Sequence, residues 1–83
     1  METFLSQSRS LLEDFIGDIP HDTGSERYRE ARKKHVIRSA FRFQQYLQVL
    51  WDECRERNSL TPDEVLGGML YVISLQEHFL MTV

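Results

Sequence analysis

Apolar positions recur along this chain at helical spacing, and three segments carry the pattern. In the first, Phe4, Leu5, Leu11, Leu12, Phe15 and Ile16 gather on one side at 100° per residue, while Ser6, Gln7, Arg9, Ser10, Glu13 and Asp14 gather on the other. This predicts a helix from about Thr3 to Ile16, stopped by Gly17 and then Pro20. The stretch from Gly17 to Asp22 reads as a polar, turn-like linker.

The second segment is much longer. Thr23 and Glu26 have the spacing of a capping box, which predicts a helix from about Gly24 to Arg57 with no Gly or Pro after Ser25 to divide it. Such a helix would be roughly 50 Å long at 1.5 Å per residue. Val36, Ala40, Phe43, Leu47, Leu50 and Cys54 follow one another at spacings of 4, 3, 4, 3 and 4, a heptad-like seam flanked by Tyr46 and Trp51. Ile37 and Phe41 fall off that seam, and before Val36 its positions pass to Arg29, Arg32 and Lys33. Asn58 is expected to end the helix in a left-handed turn.

Leu60-Thr61-Pro62-Asp63-Glu64-Val65 is the strongest local signal. It combines a Thr cap, Pro at the first helical position, Glu at the third, and Leu60 with Val65 as a hydrophobic staple. A third helix is predicted from about Pro62 to Leu80. Its apolar residues run round the helix in the order Leu75, Phe79, Val72, Val65, Leu80, Ile73, Leu66, Leu70. They cover an arc of roughly 220°, about twice what packing on one neighbour requires. The fold expected is therefore all-α: a three-helix domain with one long central helix and two shorter ones antiparallel along it. The surplus on the third helix has two readings: the helix lies deep between the other two, or a second chain covers it, as a homodimer or a partner protein.

Size and composition sharpen this picture. Eighty-three residues make one domain, and a single core of that size contributes only ~3–5 kcal/mol of net stability. One cysteine, Cys54, precludes an internal disulfide and suits a reducing compartment. The first residues lack the basic and apolar regions of a signal peptide, and the longest uncharged apolar run, Val65 to Gln76, is too short to span a membrane. A cytoplasmic location with no membrane contact is the expectation.

The net charge of −3 is unevenly spread: residues 1–26 carry −5, residues 27–42 carry +6 and residues 43–83 carry −4. The basic block comprises Arg27, Arg29, Arg32, Lys33, Lys34, Arg38 and Arg42. Cations in the N-terminal half of a helix oppose its dipole, so acids are expected to offset them, either Glu13, Asp14 and Asp18 of this chain or those of a partner.

Patterns that would carry catalysis are missing. Gly67-Gly68 has no Lys-Ser/Thr after it and is no phosphate loop; close helix approach explains it better. Glu77-His78 belongs to no HExxH motif, because Met81 stands where the second His is needed. His21, His35 and His78 are far apart and resemble no metal-ligand spacing, and Cys54 on the seam reads as a small buried side chain. Neither enzyme chemistry nor a cofactor or metal is expected.

The function class expected is a non-catalytic protein that binds another protein, a class that includes inhibitors, adaptors, anti-activators and chaperones, some of them phage-encoded. Ile37, Phe41, Trp51, Leu70, Tyr71, Leu75 and His78 are the candidate partner or self-association surface, and the seven cations are a candidate contact patch for a partner with an acidic or apolar face. The alternative is a nucleic-acid-binding regulator that uses the basic 27–42 segment. Asp63 and Glu64 weigh against it, since they open the third helix where a recognition helix would carry polar and basic residues.

Overall fold

The computed structural model describes residues 2–21 and 24–83. They form three helices, α1 (Glu2–Gly17), α2 (Glu26–Arg57) and α3 (Pro62–Thr82), with no strand among the described residues. The molecule is a rod of 50 × 17 × 15 Å whose length is that of α2. Phe4 meets Trp51 and Phe15 meets Phe43, so α1 runs antiparallel to α2. Phe43 meets Phe79 and Trp51 lies against Gly68, so α3 does the same. The expected all-α arrangement is what forms.

Its core is mostly aromatic. Phe43 stacks on Phe79 with ring centroids 5.3 Å apart, and Phe15 tilts against Phe43 at 5.7 Å. At the other end Phe4 packs between Trp51 and Tyr71, at 5.2 and 6.0 Å. Leu47 fills the middle and Cys54 closes the seam. Trp51, expected on the flank, is a core residue at 2% exposure. Gly68 makes room for it: a Cβ there would overlap the indole ring, whose Cζ2 lies 2.7 Å from where it would stand. The small residue lets α3 approach α2 closely at this point.

Two buried residues of the N-terminal third were not anticipated. Ser8 sits in the middle of the buried face of α1, fully enclosed, its hydroxyl donating to the Leu5 carbonyl at 3.0 Å. That bond removes the cost of a polar group in a dry core. Ile19 is buried as well, so the linker after α1 plugs the core rather than being polar throughout.

The helix ends show how local chemistry sets boundaries. Gly24 has a positive φ of 83°, which a right-handed helix excludes, so α2 begins two residues later than expected, with Ser25 at the N-cap and no side-chain bond there. Thr23, half of the expected capping box, lies outside the described residues. At the far end Asn58 is extended (φ −121°, ψ 139°), not left-handed. Its backbone N–H still donates to the Cys54 carbonyl at 3.1 Å, and its side-chain Nδ2 donates to the same oxygen at 2.8 Å, so the last turn closes without a left-handed residue.

The start of α3 follows its sequence closely. Pro62 holds Thr61 extended (ψ 160°). The Glu64 N–H donates to Thr61 Oγ1 at 3.2 Å, and Glu64 Oε1 accepts from the Thr61 N–H at 3.1 Å and its hydroxyl at 3.0 Å. These bonds to the ionised carboxylate hold the Glu64 pKa below its ordinary value. Leu60 and Val65 both pack on the core, as a staple should.

Candidate docking face

The wide apolar arc of α3 divides in two. Leu75, Phe79 and Val72 are buried and Val65 packs beside them. The next part of the arc faces outward: Leu66, Met69, Leu70, Ile73 and Leu80 are between 49% and 61% exposed. Their spacing of 3, 1, 3 and 7 keeps them in one stripe along the helix.

α2 carries the other edge of this face. Ile37 and Phe41, off the seam as expected, are 70% and 62% exposed. A shallow groove runs between the two helices. Ile37, Phe41, Phe79 and Leu80 line one stretch of it, and Trp51, Met69, Val72 and Ile73 line the next, with Gln44 and Gln76 shared by both. No third helix covers it, because α1 lies on the opposite flank of α2, where Phe15 meets Tyr46 and Phe43. The exposed side chains of Ile37, Phe41 and the α3 stripe amount to an area on the order of 800 Å², what one partner contributes to a standard protein interface and more than the largest apolar patch of a typical monomer.

The residues proposed from sequence therefore separate. Ile37, Phe41 and Leu70 belong to the exposed face. Trp51 and Leu75 do not: both are core residues, because α3 presses on the flank of α2 that holds Trp51 and turns Leu75 inward. Tyr71 is half-buried against Phe4 of α1, and His78 is exposed but on the side of α3 away from Ile73. Leu66, Met69, Ile73 and Leu80 complete the face and were not singled out. Their signal was present in the second half of the apolar arc, but periodicity does not say which half meets the core.

The basic block also divides. Arg27, Arg29, Lys33, Lys34, Arg38 and Arg42 are exposed, and Arg27, Lys34, Arg38 and Arg42 share the outward side of α2. Arg32 is half-buried and bonded to backbone, Nε to the Pro20 carbonyl at 2.7 Å and Nη2 to the Val83 oxygen at 3.0 Å. It ties the linker after α1 and the end of α3 to α2, and so accounts for one seam position that is not apolar. Its partners are backbone oxygens, not the α1 carboxylates expected to offset the block. Lys33 pairs with Glu30 of its own helix at 3.5 Å, both well exposed, a contact of little energetic weight. The turns before Arg32 project beyond α1 and α3.

Cys54 is buried, and among the described residues no group of three or more His, Cys, Asp or Glu side chains is placed to hold a metal ion. No described helix is long and apolar enough to cross a membrane. Compared with protein families, curated proteins and solved structures, the chain gives no significant match.

Proposed function

We propose that this chain is a non-catalytic interaction protein that acts by docking the α2/α3 face onto another polypeptide, in the manner of an inhibitor, adaptor, anti-activator or chaperone. The observation that carries this is the stripe of Leu66, Met69, Leu70, Ile73 and Leu80 standing open beside Ile37 and Phe41. Leaving that much apolar surface in water is unfavourable at about 25 cal/mol per Å², and a partner relieves it. The cations on the outward side of α2 adjoin the face and would favour an acidic rim on the partner.

The test is affinity capture from nuclease-treated native lysate, with the parent compared with a Phe41→Glu, Ile73→Glu double variant. A defined protein bound by the parent and lost with the variant supports the proposal. Equal capture by both refutes it.

A second function is favoured by one specific observation, the exposed line of Arg27, Lys34, Arg38 and Arg42, which suits a nucleic-acid backbone. Binding to a DNA or RNA duplex that falls steeply with salt, without any protein partner, would put this function first.

A further inference from the structure

We infer that the occupant of the α2/α3 face is a second copy of this chain, laid antiparallel about a two-fold axis that crosses the groove. This rests on the proposal that the face docks protein, and it names the partner.

Three features point to a copy. The first is area: the face offers each chain's share of a standard interface, roughly 800 Å², from one continuous patch, and a two-fold contact uses one patch twice. The second is the middle of the groove. A two-fold axis sets residues near it opposite themselves, so a fixed charge there would repel its own copy. The positions common to both stretches of the groove are Gln44 and Gln76, with Gln48 next along α2. A neutral amide both donates and accepts, so it can bond to its own copy.

The third is the distribution of charge along the face. Lys33, Lys34 and Arg38 stand exposed at the end near Ile37 and Leu80, with Glu30 paired to Lys33 at 3.5 Å. Asp52 and Glu56 of α2 and Asp63 of α3 stand exposed at the other end. Arg55 reduces the acidic excess there without reversing it. Glu77 stands in the α3 stripe itself, one turn from both Ile73 and Leu80 and open to solvent, and with Glu30 it lowers the basic excess of the Ile37 and Leu80 end without reversing it. An antiparallel pair sets the basic end of each copy against the acidic end of the other, twice. A parallel pair sets like ends side by side.

The experiment is sedimentation equilibrium on the full chain from low to high micromolar concentration, with circular dichroism on every variant. The parent is expected to be a dimer at tens of micromolar. Phe41→Glu with Ile73→Glu should weaken association roughly a hundredfold or more and leave the helical signal intact, since both side chains are exposed in the single chain. Reversing charge at one end, Lys34→Glu with Arg38→Glu, should weaken association several-fold. Adding Asp52→Lys and Glu56→Lys to the same chain should restore it.

A parent that stays monomeric throughout the range overturns the inference. A dimer that survives Phe41→Glu with Ile73→Glu overturns it too, and failure of the second charge reversal to rescue overturns the antiparallel arrangement. The wider proposal falls by a different result: the double variant capturing the same proteins as the parent. A monomeric parent that loses a captured protein on the double substitution would show that the face serves another partner and not a copy.

Discussion

α1 and α3 flank the same long helix and bury one stripe each in the same core, yet they show solvent different faces. Of the large apolar side chains of α1 only Leu5 is substantially exposed. Beyond it the outward side is Ser6, Gln7, Arg9, Ser10, Glu13 and Asp14. α3 shows Leu66, Met69, Leu70, Ile73, Leu80 and Met81. α1 thus completes the single chain, whereas α3 only begins a second surface. The contrast teaches that a helix too apolar for one neighbour need not lie deep in a small bundle. It can stand at the edge with half its apolar arc uncovered.

The sharpest way to break that contrast is to place the same charge two residues apart on α3. Leu75 is 8% exposed and Ile73 is 50% exposed. Leu75→Glu puts a carboxylate where no cation waits, at a cost of several kcal/mol. That equals the whole stability of a domain this size, so the variant should lose its cooperative thermal transition. Ile73→Glu should change the stability of the single chain by no more than about 0.5 kcal/mol. Thermal melts at low micromolar concentration separate the two, and similar melts would mean that α3 has only one apolar side.

A smaller contrast lies within the Gly67-Gly68 pair. A Cβ added at Gly67, which is exposed, meets nothing within 4 Å beyond its chain neighbours and its own helix backbone, whereas the same atom at Gly68 overlaps Trp51. Gly67→Ala should stabilise by about 1 kcal/mol through helix propensity. Gly68→Ala should destabilise by about 1–3 kcal/mol through overpacking, despite the same gain. Opposite shifts in Tm are expected. Shifts of the same sign would show that Trp51 moves aside freely.

Much of this was legible because it is local. Thr61, Pro62 and Glu64 determine the start of α3 among themselves, and the seam from Val36 to Cys54 follows from spacing alone. The unread parts depend on neighbours that periodicity does not identify. Whether Trp51 flanks or fills the core depends on which side of α2 receives α3. Ser8 occupies an apolar position that its residue type disguises, and Arg32 replaces an apolar seam residue because two backbone oxygens, distant in sequence, meet there. The exposed α2/α3 face shared this fate: its residues were visible as part of one wide arc, but only packing showed which part stays open.

The smallest expected effect concerns the one boundary that sequence and structure agree on in detail. Thr61→Ala removes the hydroxyl that accepts from the Glu64 N–H, a cap whose loss costs about 1 kcal/mol. It also removes one of the two groups whose hydrogen bonds lower the Glu64 pKa, the other being the Thr61 backbone N–H. A carboxylate with a lowered folded-state pKa contributes stability that is fully present above its unfolded-state pKa. That contribution is lost as pH falls through the lowered, folded-state value. The Tm difference between parent and Thr61→Ala should therefore be largest near neutral pH and shrink through the acid range, leaving the part owed to the hydroxyl as acceptor. Glu64→Gln should show a shallower acid dependence than the parent, because its amide can still reach the Thr61 N–H but carries no titrating charge. If the parent and Thr61→Ala keep a constant difference from neutral pH down to strong acid, the bond from the Thr61 hydroxyl to the Glu64 carboxylate contributes nothing to the stability of α3.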